Sequence, residues 1–256
     1  MSNTLKFGNG EWYGKKDTIL AYNDENNNYK PLPFDFSRAS NATRVNKDGL
    51  IETVGSGQPR IDYKDDSKGA MLLEPQRTNI LPYSEDFSNS NWINQSTDTT
   101  LSVVSSGSPN GGAFYRCTSG SNGGGRIVDV FSGSLTGGVF SIYAKGSGSL
   151  RIDLFISGGG NIIKNITLTS EWKRYDVYNP QTNNSGDVSI RFFANSVADI
   201  FGAQLEEGNY PTSYIPTQGS AVTRLADVCS GAGNDQVINS TEGVLYINAA
   251  TQDSSA

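Results

Sequence analysis

The sequence lacks the side chain that enzymes most often use as a general base, because none of its 256 residues is histidine. Triads of the Ser–His–Asp or Cys–His type are therefore excluded, and so are most zinc and iron sites. The sequence also contains no G-x-S-x-G elbow, phosphate-binding loop or dinucleotide fingerprint. We therefore expect no enzyme and no cofactor.

The carboxylates suggest no glycosidase either. Glycoside cleavage needs two carboxyl groups about 5 to 10 Å apart across a cleft. Glu206 and Glu207 are adjacent in a predicted strand, so their side chains point to opposite faces and cannot form that pair. Asp153 is expected to be a charge on the outward face of a strand.

Aromatic side chains are the candidates for sugar binding, because a sandwich module usually stacks an exposed ring on the face of a sugar. By residue type we choose Trp92, Tyr143 and Tyr178. The alternative for each is burial in the core, and for Trp92 the two interpretations are about equally weighted.

Arginines recur in the N-terminal part and near the C-terminus, chiefly Arg38, Arg44 and Arg77, together with Arg60 and Arg224. A guanidinium group forms defined bidentate pairs with carboxylates. We expect some of these arginines to tie the N-terminal segment to the following domain or to a neighbouring subunit. The alternative is that they are solvated charges.

The composition limits the kinds of partner that we expect. The formal net charge is -6 and only 18% of residues are charged, with no basic run, so nucleic acid and anionic membrane are not expected partners.

The N-terminus has no apolar stretch typical of a signal peptide and no membrane-spanning segment, so we expect neither export by the usual route nor membrane insertion. Cys117 and Cys229 are interpreted as two buried free thiols; the alternatives are a disulfide between them, as in a secreted protein, and exposure of Cys229 in its Ser/Gly-rich segment.

The strand pattern predicts an all-β fold. Residues 79–216 contain a series of short apolar and alternating segments separated by Gly and Asn turns, which is typical of a β-sandwich jelly roll. Alternation is clearest where Ile152 and Ile156 are expected to face the core while Arg151 and Asp153 face away from it.

The segments on either side of the predicted sandwich have a different sequence pattern. Residues 1–78 are predicted to form an extended arm with short hairpins, with turn signals at Asn-Gly 9–10 and Asp-Gly 48–49. Residues 217–256 resemble a linker followed by one more strand, at Gly243–Asn248. Because that strand has no obvious partner, we expect it to pair elsewhere within the fold or on a neighbouring subunit. That it begins a truncated or missing distal domain is what the family resemblance described below implies.

Several segments resemble fibre and appendage proteins of tailed phages. The long ones are Phe36–Glu52 and Gly69–Leu81. The shorter ones look like the opening and closing parts of a jelly roll similar to non-catalytic carbohydrate-binding modules: Tyr83–Phe87 with Trp92, Trp172–Tyr175, Phe201–Gly208, Pro211–Pro216 and Val222–Asp227. Lys6–Trp12 and Leu20–Glu25 resemble the start of virion proteins from phages of gut Bacteroidota.

The resemblance implies a structural component of a phage virion, most simply a head or tail fibre subunit. Such a subunit would form a homotrimer, dock on capsid or tail proteins through residues 1–78, and project the jelly roll. The alternatives are a host-glycan receptor-binding module and a non-catalytic accessory domain of a depolymerase. The resemblance also suggests a structural calcium ion near Glu85, Asp86 and Asp199, but solvated carboxylates are the preferred interpretation and no metal site is predicted.

Overall fold

The computed structural model describes residues 35–96, 98–122 and 125–231, apart from the side chain of Asn184, and the backbone of residues 12–15, 18–23 and 28–31. Every regular secondary-structure element in these residues is a β-strand, which confirms the predicted all-β class. The turn at 9–10 and the strand at Gly243–Asn248 lie outside the described residues. In chain order the strands are β1 (Trp12–Lys15), β2 (Thr18–Asn23), β3 (Asn28–Pro31), β4 (Asp35–Ser37), β5 (Ala42–Val45), β6 (Ile51–Val54), β7 (Arg60–Asp62), β8 (Ala70–Leu72), β9 (Arg77–Asn79), β10 (Ile93–Asn94), β11 (Thr99–Val104), β12 (Phe114–Ser119), β13 (Arg126–Ser147), β14 (Ser149–Ile156), β15 (Gly160–Thr167), β16 (Lys173–Phe192), β17 (Val197–Glu207), β18 (Val222–Arg224) and β19 (Val228–Ser230).

The chain separates into two compact units, one of residues up to Gln76 together with the segment from Arg224 onward, the other of residues 77–223. The first unit consists of short antiparallel pairings: a β1–β2–β3 sheet, the hairpins β5–β6 and β7–β8, and the pair β4–β19. The predicted short N-terminal hairpins are thereby confirmed, although they belong to a compact unit and not to an extended arm. The assignment of residues 1–78 to attachment and of 217–256 to a distal domain stays a prediction.

A buried ionic cluster fills the centre of the first unit. Arg60 donates to Glu74 (2.8 Å) and to Asp227, and Arg38 donates to Asp227 (3.0 Å). Arg224 donates to the other acid, Glu74 (2.5 Å). Main-chain carbonyls accept further guanidinium hydrogens, so these buried charges are both paired and hydrogen-bonded, as low-dielectric surroundings require.

The second unit is a sandwich of two sheets, and two long strands, β13 and β16, each run through both sheets. Residues 126–132 of β13 pair with 185–191 of β16, whereas residues 138–144 of β13 pair with 173–179 of β16. The register of β13 shifts between Ser132 and Gly138, where the strand changes layers. The first sheet therefore has the order β10–β13–β16–β14–β15, and the second has the order β16–β13–β17–β12–β11.

The two sheets share one apolar core, to which alternate residues of each strand contribute. β14 presents Leu150, Ile152, Leu154 and Ile156 to this core, and β13 adds Phe140 and other side chains from the second sheet. Burial of these side chains from both layers is the main stabilising term of such a fold. The predicted β-sandwich is confirmed, whereas its predicted bounds, 79–216, stay a prediction.

Candidate functional site

The sandwich has two outer faces, and the outer face of the second sheet is occupied by the chain itself. The segment 209–217 lies across it. The main-chain N–H of Thr212 donates to Glu206 (2.9 Å), and that of Ile215 donates to Gln204 (2.6 Å). Because Glu206 and Gln204 are buried and bonded in this way, much of this face has no room for a ligand.

Two of the predicted sugar-binding aromatics lie on this same face. Tyr143 packs against Tyr214 of the covering segment, with ring centroids 6.3 Å apart, and Arg174 lies 5.4 Å from the centroid of its ring. Tyr178 is paired with Val139 beside the bend of β13 and is 39% exposed. Of these two rings, Tyr178 is thus the more accessible.

The third predicted aromatic lies in the core. Trp92 is 3% exposed, its ring lies 5.0 Å from that of Phe87, and its indole N–H donates to the carbonyl of Tyr83 (2.8 Å). Because Trp92 is almost fully buried and belongs to the apolar core, the structure supports the burial alternative for it. The structure therefore does not bring Trp92, Tyr143 and Tyr178 together as one site.

The outer face of the first sheet carries a different set of side chains, arranged in three rows by the strand register. The rows, each read across β13, β16 and β14, are Arg126–Arg191–Arg151, then Val128–Ser189–Asp153, then Val130–Asp187–Phe155. In each row the side chains stand on the same side of the sheet, because directly paired residues of antiparallel strands share a face. We call this side of the sheet the outer polar face; its middle row, Val128–Ser189–Asp153, is buried, and the two flanking rows are partly or fully exposed.

An exposed aromatic ring lies at one end of the outer polar face. Phe155 is 36% exposed, and its direct neighbours are Asp187 on β16 and Asn161 on β15. A flat apolar surface flanked by a carboxylate and an amide has the parts that sugar recognition uses, namely stacking for the ring and hydrogen bonds for the hydroxyls.

The charges behind this ring are partly neutralised. Asp153 is buried, forms an ion pair with Arg151 (2.7 Å) and accepts a hydrogen bond from Ser189 (3.0 Å). Burial raises the pKa of the Asp187 carboxyl; Arg126 opposes this effect and Asp153 adds to it. Asp187 is thus a hydrogen-bond acceptor beside Phe155 whose ionisation is disfavoured by burial.

The arginines predicted to act in assembly have partners within their own units. Arg38 belongs to the buried cluster described above, and Arg44 pairs across the β5–β6 hairpin with Glu52 (2.6 Å). Arg77 lies 5.6 Å from the ring centroid of Tyr210. A role between subunits stays a prediction for all three.

The acids considered for calcium have separate hydrogen-bond partners. Glu85 accepts from Tyr214 (2.9 Å), Asp86 accepts from Ser88 and Tyr115, and Asp199 pairs with Arg116 (2.7 Å). Within the described ranges, no group of three or more His, Cys, Asp or Glu residues could hold a metal ion. The described part of the chain likewise contains no apolar helix of membrane-spanning length.

Sequence reasoning did not select Phe155 or Arg191. Phe155 follows Arg151 and Asp153 at intervals of two, so the alternation of β14 already assigned it to the outward face. Selecting it also required knowing which outer face is covered by 209–217, and that depends on tertiary structure.

Comparison with solved structures found similarities of low identity over half of the chain. One is the enzymatically active domain of tailspike protein 4 of bacteriophage CBA120, with 13% identity and a TM-score of 0.42; it covers 50% of this chain, and this chain spans only 21% of that protein. Another is the carbohydrate-binding module TmCBM61 in complex with β-1,4-galactotriose (15% identity, TM-score 0.39, 51% of this chain and 99% of that one). A third is the CBM22-1–GH10 part of xylanase 10B from Clostridium thermocellum (15%, 0.37, 52% and 29%). No protein-family model and no curated protein sequence matches the chain.

Proposed function

We propose that the sandwich is a non-catalytic glycan-binding module, and that it serves the adsorption apparatus of a phage. The observation that carries the first part is the exposed ring of Phe155 between Asp187 and Asn161 on the outer polar face. In this proposal a sugar ring stacks on Phe155, and its hydroxyl groups donate to the Asp187 carboxylate and bond to the Asn161 amide.

The phage context rests on the sequence segments Phe36–Glu52 and Gly69–Leu81, which resemble appendage proteins of tailed phages. In this proposal the first unit docks the chain on the particle, and three copies assemble as in other fibres. Antibody labelling of purified virions tests this part: label at a fibre or appendage supports it, and unlabelled particles contradict it.

Glycan binding is tested with the purified chain on a glycan array, followed by titration of the bound glycans. Phe155→Ala removes the stacking surface and is expected to weaken binding by about 1 kcal/mol, roughly fivefold. Tyr178→Ala is the matched control, because Tyr178 is similarly exposed but lies on the outer face of the second sheet. Loss of binding in Tyr178→Ala, with Phe155→Ala unaffected, would move the site to that other face.

A further inference from the structure

Three arginines form one row on three adjacent strands of the outer polar face. Arg126 on β13 is directly paired with Arg191 on β16, which is in turn directly paired with Arg151 on β14. Like charges directly opposite one another in a sheet destabilise it unless counter-charges are present. The row is also unusual for a chain whose net charge is -6.

The three guanidinium groups are neutralised unequally. Arg151 has the Asp153 carboxylate at 2.7 Å, whereas Arg126 donates to a neutral group, the Gln95 side-chain carbonyl, at 2.7 Å. Within residues 35–96, 98–122 and 125–231, the Arg191 side chain makes no hydrogen bond or ion pair, and its Nε is buried without an acceptor. The terminal nitrogens of Arg191 have no partner in these residues and are not buried, so a ligand can reach them.

We infer that this row binds the carboxylate of an acidic sugar, such as a uronate or sialate residue, in the glycan that the outer polar face takes up. This inference rests on the proposed function and names its ligand class. The rigid, two-pronged donor geometry of a guanidinium matches a carboxylate. Arg126 adds a second positive charge directly beside it.

The experiment uses the full chain and a panel of uronate- and sialate-containing oligosaccharides, each printed beside its carboxyl-reduced, neutral counterpart. We expect the acidic member of at least one pair to bind at least about tenfold more tightly, because a charge-assisted pair contributes more than a neutral hydrogen bond. Arg191→Gln should abolish this preference while leaving the neutral counterpart's binding unchanged. Arg44→Gln removes the same charge from the other unit and should leave the preference intact.

The outcomes separate this inference from the proposed function. Equal binding of acidic and neutral members, still reduced by Phe155→Ala, overturns the carboxylate site and leaves glycan binding standing. No binding of any member overturns the inference, and the wider array decides the proposed function. If Arg191→Gln instead changes the sedimentation of the chain without changing glycan binding, the row belongs to an interface between copies, and the inference is wrong.

Discussion

Asp129 is a carboxyl group inside the sandwich, and from its burial we predict how the free energy of unfolding depends on pH. Its partner in the register is Val188, a core residue of β16, so Asp129 faces inward with Ile127 and Phe131 of its own strand. The side chain is 1% exposed, and its Oδ2 has no hydrogen-bond partner among the described residues. Burial raises its pKa from 3.8 to about 7.

The sign of the effect follows from proton linkage. Because the folded pKa is above the unfolded one, the folded state binds more protons between pH 4 and pH 7, and the free energy of unfolding falls as pH rises through that range. A difference of about three pKa units corresponds to roughly 4 kcal/mol at 1.36 kcal/mol per unit. Above about pH 7 the loss is complete and the curve levels off.

The assay is urea unfolding followed by tryptophan fluorescence, between pH 4 and pH 8.5, for the natural chain and Asp129→Asn. Because the amide cannot ionise, the stability of Asp129→Asn relative to the natural chain should rise by up to about 4 kcal/mol across this range. Groups common to both proteins, such as Glu85 with its raised pKa, cancel in the difference. Glu171→Gln, at an exposed position of the same sandwich, is the control for the loss of a carboxyl charge. A flat difference for Asp129→Asn, or an equal rise in both variants, would refute the reasoning.

Two further predictions concern the buried cluster and the thiols. Glu74→Gln should destabilise the first unit by about 3 to 5 kcal/mol in thermal unfolding, because Arg60 and Arg224 then lose a buried counter-charge. Arg44→Ala, at the surface, should change stability by about 1 kcal/mol or less. Similar losses of stability in both variants would contradict this account of the cluster. In native protein Cys229 should react with a thiol reagent much faster than Cys117, because Cys117 is fully buried and burial raises its pKa strongly; equal rates would show that the sandwich opens readily.

The sequence was sufficient to predict the all-β class and the orientation of particular side chains, because alternation is a local property. Arg151 and Asp153 stand on the outward face of β14 as the pattern indicated. What it could not show was which surfaces stay open. Tyr143 and Tyr178 have similar local patterns, yet Tyr214, far along the chain, packs on only the first of the two rings.

The buried charges show the same limit. Arg38 and Asp227 are 189 positions apart and form a buried ion pair, and no local pattern distinguishes such an arginine from a solvated one. Asp129 occupies an inward position of an alternating strand, where the pattern predicts an apolar residue and not a carboxyl group. Long-range pairing and exceptions to a pattern require the three-dimensional structure.

The central claim, that the outer polar face binds glycan, is tested most directly by titrating the array-identified glycan into the natural chain, Phe155→Ala and Tyr178→Ala. The proposal predicts saturable binding that Phe155→Ala weakens about fivefold and Tyr178→Ala leaves unchanged. No binding by the natural chain, or equal affinity in the natural chain and Phe155→Ala, would contradict it.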